Sequence, residues 1–337
     1  MRAYVVPKGC TDINGLRRVE RPEPQPGPGQ VLIRLRAWSL NYRDHAVATG
    51  QYLGGSVSRD TIPLSDGAGE VTAIGPGVTR VKPGDRVAGV FTQTPPEGSP
   101  FGAKLALGSP LDGMLADQVV LYEDGVVRIP EGLSFEEAAC LPCAAVTAWH
   151  ALMHAGRPVR PGDTVLVLGT GGVSTFALQF ARAAGARVIA TSSSDDKLAR
   201  IKTLGASDGV NYSQTKDWDR QVLELTGGRG VDCVVETGGA GTLSRSFQAL
   251  AYGGKAVLIG VLTGFGDPIN PYTLMGKQGS LHGILVGDRG MFEEMNRAIE
   301  LNRIKPLVDR VFGFDDVPAA FQHHASGRFM GKIAIAA

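Results

Sequence analysis

The sequence predicts an α/β protein in which a doubly wound parallel sheet is inserted into a mostly β domain. Three observations predict this. From Asp163 a rhythm of strand, helix, strand repeats with glycine at the switch points, the pattern of a parallel sheet with helical crossovers. The first 125 residues instead read as short strands broken by Gly and Pro turns. The length of 337 residues suggests about two domains at roughly 150 residues each.

In the first part, strands are expected at Val31–Ala37, Gly69–Ile74 and Arg86–Val90, the last two flanked by Gly75-Pro76-Gly77 and Pro83-Gly84-Asp85. Pro95–Pro110, rich in Gly, Pro and Ser, reads as a long surface loop or lid. The parallel strands are expected at Thr164–Leu168, Arg187–Thr191, Gly209–Asn211, Val231–Glu236, Lys255–Ile259 and Leu281–Val286. Helical patterns fall between most of them, at Val173–Ala184, Asp196–Leu204, Trp218–Thr226 and Thr242–Leu250, several ending at Gly. The sixth strand follows a longer connection through Pro268 and Pro271 without an obvious helix. A helix to about Leu301, a β-like Leu307–Phe312, a short helix Val317–Ser326 and a last strand Gly331–Ala336 complete the chain. The domains are therefore expected at 1–125 with 287–337, and at 126–286.

Composition narrows the function. Lys plus Arg is 34 against 33 for Asp plus Glu, a net charge of +1, with no basic stretch suited to a phosphate backbone, so nucleic acid is not an expected partner. Hydrophobic residues at 43% and charged residues at 20% give a globular balance and no case for disorder. No apolar run reaches the roughly 18 residues of a membrane span, and Met1–Val6 lacks a signal segment, so a soluble, cytoplasmic protein is expected. Four cysteines in so long a chain imply reduced thiols rather than a disulfide framework.

Val165-Leu-Val-Leu-Gly169-Thr-Gly171-Gly172-Val173-Ser174 is an apolar strand, a Gly-rich turn and the start of a helix. Gly169 permits the tight turn and Gly171 lets the backbone approach a pyrophosphate, which then sits on the helix N-terminus. Ser174 replaces the third glycine of the pattern, but the strand–turn–helix context marks a Rossmann dinucleotide site. NAD sites usually carry an acid about 20 residues on, at the end of the second strand. Here that strand ends in Thr191, Ser192, Ser193 and Ser194, with no acid before Asp195. Ser192, Ser193 and Lys197 suit a 2′-phosphate, so NADP(H) is expected, with NAD(H) as runner-up. Ser194 or Asp195 as a helix cap is compatible with either.

Further segments, taken in order, carry a family resemblance. They are Gly29-Gln30-Val31-Leu32-Ile33, Leu40-Asn41-Tyr42-Arg43-Asp44, Gly67-Ala68-Gly69-Glu70-Val71 and Lys82-Pro83-Gly84-Asp85-Arg86-Val87. Leu141-Pro142-Cys143 with Thr147-Ala148-Trp149, Leu204-Gly205-Ala206 and Gly331-Lys332-Ile333 follow. Over essentially its whole length the chain resembles the medium-chain dehydrogenase/reductases, specifically the zinc-free branch of quinone oxidoreductases and enoyl reductases. The resemblance implies a GroES-like catalytic domain around the Rossmann domain. Zinc alcohol dehydrogenases of this kind hold catalytic zinc with a C-x-x-D cysteine, a G-H-E histidine and a later cysteine. Here Asn41 with Asp44 stands in the first motif and Leu64-Ser65-Asp66 in the second, leaving only Cys143. One thiolate cannot hold zinc, and Thr92–Leu111 contains no structural-zinc cysteine, so no metal is expected. Cys140-x-x-Cys143 reads as buried thiols, and the pair His323-His324 as part of a solvated helix face.

Without zinc, the negative charge that hydride transfer builds on a carbonyl oxygen falls to hydrogen-bond donors, which favours conjugate or quinone reduction over carbonyl reduction. Tyr52 is the leading donor candidate, with packing on the lid as its alternative role. Asn41 is expected to bond the nicotinamide ribose or the substrate oxygen, and Asp44 to orient Asn41 or Arg43 or to cap the following helix. The resemblance implies cofactor contacts from Thr147, Tyr212, Gly260, Val261, Leu262, Leu285 and Val286, and from Lys332 near the pyrophosphate. Tyr42, Tyr52, Phe91 and Tyr272 are candidate pocket residues. The expected activity is NADPH-dependent, metal-independent reduction of an activated double bond (an α,β-unsaturated carbonyl or thioester) or a quinone. The alternatives are a zinc-independent alcohol dehydrogenase or carbonyl reductase, and a non-catalytic NADPH-binding protein on the same fold. The resemblance also implies a homodimer joined through the sixth strands.

Overall fold

The strand Thr164–Leu168 is buried along its whole length, as a central parallel strand covered on both faces must be. It lies in the middle of a six-stranded parallel sheet. The spatial order is Asp208–Asn211, Arg187–Ser192, Thr164–Leu168, Val231–Glu236, Leu250–Leu258 and Ser280–Gly283. This order reverses between Thr164–Leu168 and Val231–Glu236, and in such sheets ligands bind beyond the carboxyl ends at that switch point. Helices Gly172–Ala183, Asp195–Thr203, Trp218–Leu225 and Ala240–Ala249 provide crossovers. The core between them includes Leu166, Ile189, Trp218, Val222, Val234 and Phe247.

A second sheet of seven strands runs Val308–Gly313, Lys332–Ala336, Gln30–Leu40, Asp66–Ile74, Arg86–Gly89 and Val126–Arg128, with Gln118–Tyr122 also paired to Gln30–Leu40. All its pairings are antiparallel except that of Val308–Gly313 with Lys332–Ala336. In Gln30–Leu40, Arg34 and Arg36 alternate outward against buried Ile33, Leu35 and Ala37, the period of a half-buried strand. Trp38 is fully buried and donates its indole N–H to the Met114 carbonyl. Burial of each such large side chain contributes about 1.5–3 kcal/mol. Gly69 is dictated by close approach: a Cβ there would lie 2.1 Å from the Arg34 carbonyl oxygen.

The structure, a computed structural model, describes residues 1–52, 55–93, 105–264, 266 and 269–337. It divides into one unit of Met1–Val146 with Asp288–Ala337 and another of Thr147–Gly287. The domain boundary expected after Gly125 thus moves to Val146, because Val126–Arg128 pairs with Arg86–Gly89 in the antiparallel sheet. The sixth parallel strand is Ser280–Gly283 and does not reach Val286. Its approach does contain a helix, Pro271–Gly276, capped by the Asn270 side chain accepting the Tyr272 N–H, with Pro271 in its first turn. Of the expected loop Pro95–Pro110, residues 95–104 lie outside the described residues. Leu105–Ala106 forms a strand with Thr92–Gln93. Among the described residues no helix is long and apolar enough to cross a membrane.

Helix Tyr42–Ala48 begins directly after the strand Gln30–Leu40 and Asn41, and Asp44 accepts the Asn41 backbone N–H at 2.8 Å. Asp44 is 1% exposed, and burial, reinforced by the Asp66 charge, pushes its carboxyl from 3.8 up to about 6 against the pull of Arg43 and Lys332. Between those values the folded chain holds a proton that the unfolded chain has lost. The stability this carboxyl provides is therefore fully present below its unfolded value and is lost as pH rises through about 6. Asp44→Asn, whose amide oxygen still accepts the Asn41 N–H, is expected to abolish this contribution. In urea denaturation, wild-type stability minus that of the variant should fall between about pH 4 and 6 and stay flat above. A difference that rises with pH over that window would contradict the assignment.

Candidate functional site

In the first unit the end of strand Gln30–Leu40 gathers a set of buried charges. Ser39 pairs with Asp66 on one neighbouring strand and Leu40 with Ile333 on the other, so Asp66 and Lys332 arrive on either side of Asn41. Lys332 is 3% exposed and donates to the Leu40 carbonyl and to Asn41 Oδ1, both at 2.5 Å, while Asp66 Oδ2 lies 3.7 Å from its Nζ. Asp66 is fully buried, and its other oxygen accepts the Ser65 hydroxyl at 2.8 Å. Burial pushes the Asp66 carboxyl above its ordinary value, opposed by Lys332, the Asn41 and Ser65 side chains and the Cys143 backbone N–H. The Asn41 amide nitrogen and Asp66 Oδ2 are both buried in this group, close enough for the amide to favour the carboxylate.

Arg43, 8% exposed, lies next to this group. Its guanidinium carbon is 4.9 Å from the ring centres of both Tyr52 and Phe91, a double cation–π contact. It donates to the Leu107 carbonyl at 2.8 Å and the Ser109 carbonyl at 3.2 Å, and lies 3.5 Å from Asp44. Arg43 thus brings Tyr52 and Phe91 together on either side of its guanidinium. Tyr42 is 46% exposed. Tyr272 belongs to the second unit, where it is 71% exposed on the helix Pro271–Gly276.

One expectation is corrected here, that of a solvated histidine pair. Lys332, at the start of the strand Lys332–Ala336, donates to the Leu40 carbonyl and the Asn41 side chain. Asp44 carries out its capping role through its contact with the Asn41 N–H. His323 is not on a solvated face: its Nε2 lies 3.0 Å from Asp309. Its neighbour His324 stacks on Phe329 at 5.0 Å, and burial, aided by the Lys332 charge, lowers it to about 3. The Cys140-x-x-Cys143 run forms a π-helical turn, Leu141–Ala145, and burial pushes the Cys140 thiol up to about 11 and that of Cys143 up as well. The Asp66–Lys332 pair escaped sequence reasoning. Its signal was a lysine opening an otherwise apolar last strand, Lys332-Ile333-Ala334-Ile335-Ala336.

The positions that hold zinc in the zinc alcohol dehydrogenases carry Asn41, Ser65 and Cys143. This set does not fit zinc. Asn41 Oδ1 is taken by an ammonium, Ser65 by Asp66, and burial favours the neutral Cys143 thiol over the thiolate that a metal needs. Among the described residues no group of three or more His, Cys, Asp or Glu side chains is arranged to hold a metal.

In the second unit, Gly169 ends the strand Thr164–Leu168 at φ +77°, and its N–H donates to Thr191 Oγ1 at 3.2 Å. Gly171 precedes helix Gly172–Ala183 without a side-chain cap, and a Cβ on it would meet nothing within 4 Å. Open space before an uncapped helix N-terminus, joined by Gly172 and Val173, fits a pyrophosphate. Ser174, in place of the third glycine, tucks its hydroxyl back onto the Leu168 carbonyl at 2.7 Å and so keeps helix and strand close. At the next strand end the Tyr212 N–H donates to the Ser192 carbonyl at 3.0 Å, bringing the Ser192–Ser193 turn beside Tyr212. Lys197 occupies the first turn of Asp195–Thr203, its N–H on the Ser194 hydroxyl. Asp195 is engaged by Asn211 and Gln214, both at 2.7 Å. Gly260, Val261 and Leu262 follow the fifth strand, where a Cβ on Gly260 would lie 2.2 Å from the Thr237 oxygen. Leu285 is 75% exposed, and Val286 and Thr147 are buried, the Val286 carbonyl 3.1 Å from His150 Nδ1.

Residues 27–131 match the family described as alcohol dehydrogenase GroES-like domain, and residues 172–301 that described as zinc-binding dehydrogenase. A zinc-type alcohol dehydrogenase-like protein of Schizosaccharomyces pombe is 42% identical over 98% of both chains. An NAD-dependent alcohol dehydrogenase of known structure is 34% identical over the full length of both chains, with a TM-score of 0.92. A crotonyl-CoA carboxylase/reductase solved in complex with NADP is 26% identical, with a TM-score of 0.90 over all of this chain and 94% of its own. With its GroES-like and Rossmann units and a relative this close over the full length, the chain belongs to the medium-chain dehydrogenase/reductase superfamily and is an oxidoreductase that uses a nicotinamide cofactor.

Proposed function

We propose that this oxidoreductase is an NADPH-dependent, metal-independent reductase of activated double bonds, taking α,β-unsaturated carbonyls or thioesters, or quinones. The observation that carries the reading is the donor set of the first unit: Asn41, Ser65 and Cys143 offer hydrogen bonds where zinc ligands would be needed. The nicotinamide, when bound, supplies the hydride. This chain's own part is to bind the cofactor, orient the acceptor and stabilise charge. The turn Gly169–Val173 binds the pyrophosphate at an uncapped helix end. Ser192, Ser193 and Lys197 take the 2′-phosphate. Asp195, the nearest acid, is already bonded to Asn211 and Gln214, so its carboxylate is drawn to that side. The Asn41 amide and the Tyr52 hydroxyl donate to oxygen. An enolate spreads its charge, so such neutral donors suffice where an alkoxide would demand a Lewis acid.

The reading also includes a homodimer in a reducing, cytoplasmic setting. Strand Ser280–Gly283 is the outer strand of the parallel sheet, with Leu281 at 40% and Leu285 at 75% exposed, an apolar edge suited to pairing with a second copy. All four cysteines are free thiols. Sedimentation equilibrium is expected to give twice the 35.4 kDa chain mass, and a monomer would overturn the dimer.

Chelator-treated protein should oxidise NADPH with at least one of an enone, an enoyl thioester or a quinone, and not with a saturated ketone. NADH should be at least about tenfold less efficient in kcat/KM, the loss expected when charged hydrogen bonds are missing. Tyr52→Phe should lower kcat about a hundredfold. Ketone turnover that disappears with the chelator would replace this reading with a metal-dependent alcohol dehydrogenase.

A further inference from the structure

Neither helix stability nor core packing accounts for Arg43. It is buried in the first turn of helix Tyr42–Ala48, where the helix dipole disfavours a cation. Its carboxylate partner, the adjacent Asp44, lies 3.5 Å away, and burial holds that carboxyl towards its protonated form. So long a pair recovers little of the cost of burying a guanidinium, and apolar side chains often replace buried pairs without loss of stability.

The surroundings of the guanidinium point instead to the candidate pocket. Nη1 donates to the Leu107 carbonyl and Nη2 to the Ser109 carbonyl, which fix the group from one side. Its carbon sits 4.9 Å from the ring centres of both Tyr52 and Phe91, and its charge also reaches the Cys143 thiol. The Tyr52 ring packs on the core, and its oxygen lies close enough to the guanidinium to favour the charged form. A guanidinium carries five N–H donors and no acceptor. In that contact the Tyr52 oxygen can only accept, so its own hydrogen is directed elsewhere.

We propose that Arg43 is a positioning residue acting through Tyr52: it pins the ring by stacking and faces the phenol oxygen as a donor-only group, so that the hydroxyl hydrogen is presented to the substrate oxygen. As hydride reaches the carbon β to the carbonyl, the C=C electron pair moves onto that oxygen, which accepts the Tyr52 hydrogen bond. Arg43 itself transfers nothing. This role rests on the reductase reading above, whereas the contact between Arg43 and Tyr52 does not, so the two are tested separately.

The contact is read without activity. Protein labelled with carbon-13 at the tyrosine ζ position gives one signal for each of its 7 tyrosines, and the signal lost in Tyr52→Phe is that of Tyr52. In Arg43→Met the Tyr52 signal is expected to move more than any other. In Arg43→Lys, which keeps a donor-only cation, it should move less than in Arg43→Met. A Tyr52 signal that stays in place in Arg43→Met, or moves equally in both variants, would overturn the proposal. Circular dichroism and urea midpoints establish that each variant is folded. Arg43→Gln, which removes the charge and adds an acceptor, takes the place of Arg43→Met in both experiments if the latter does not fold.

Positioning is read by a double-mutant cycle on kcat, using whichever panel compound the wild type reduces. Arg43→Met should lower kcat about tenfold in the wild-type background and leave it unchanged in Tyr52→Phe, where there is no hydroxyl to direct. KM for NADPH should change little, and Arg43→Lys should restore part of the loss. Losses that multiply, or a Lys variant no better than Met, would show that Arg43 does not act through Tyr52 and would leave the reductase reading standing. Failure of the whole compound panel would instead overturn that reading and this role with it, and the tyrosine signals would then decide the contact alone.

Discussion

A buried ammonium has to be neutralised where it stands, and in this chain that requirement organises the first unit around Lys332. An isolated charge in such a place costs several kcal/mol, and only close counter-charge with satisfied hydrogen bonds recovers it. The recovery depends on three strands being in register at once. Leu40 opposite Ile333 presents its carbonyl to the ammonium, and Ser39 opposite Asp66 delivers the carboxylate. Slippage by one residue would turn Lys332 to the other face and strand Asp66 alone. The same strand end then passes through Asn41 into helix Tyr42–Ala48, so the register that satisfies the charge also sets where the donor candidates stand. Arg43, clamped between Tyr52 and Phe91, extends this rigidity to the aromatic side of the pocket.

The second unit follows a different logic, in which backbone rather than side-chain charge surrounds the candidate site. Its central strand is apolar throughout and its turn is glycine, so a ligand meets N–H groups and a helix dipole instead of a cation. The side chains around the turn are mostly occupied with holding it. Ser174 bonds the Leu168 carbonyl and Thr191 receives the Gly169 N–H. The end of the second strand carries the small hydroxyls Ser192 and Ser193, with Lys197 in the first turn of the helix that follows.

Much of this was legible in the sequence, because local signals there agree with the tertiary result. The parallel strands Thr164–Leu168 and Val231–Glu236 match their expected limits, since continuous apolar runs between Gly and polar turns leave few alternatives. The glycine turn and the departure from zinc ligands at Asn41 and Ser65 could likewise be read directly. The domain boundary could not, because Val126–Arg128 joins the first unit through pairing with a strand about 40 residues earlier, and local pattern carries no record of its partner. The helix Pro271–Gly276 was hidden by its proline, which reads as a breaker until Asn270 before it is recognised as a cap. Lys332 and Asp66 lie more than 260 residues apart in sequence, so their pairing appears only once the strand order is known. The histidines at 323 and 324 failed similarly: Asp309 and Phe329, which take them out of solvent, come from other elements.

The central claim is that hydride goes to carbon in a conjugated system rather than to a carbonyl carbon. The most direct measurement reduces an α,β-unsaturated ketone with NADPH carrying deuterium at C4, prepared separately on each face, and locates the label in the product by NMR. Deuterium on the carbon β to the carbonyl, from one face only, with the carbonyl intact, is the expected result. Deuterium on the carbonyl carbon of an allylic alcohol would contradict it and make the chain a carbonyl reductase.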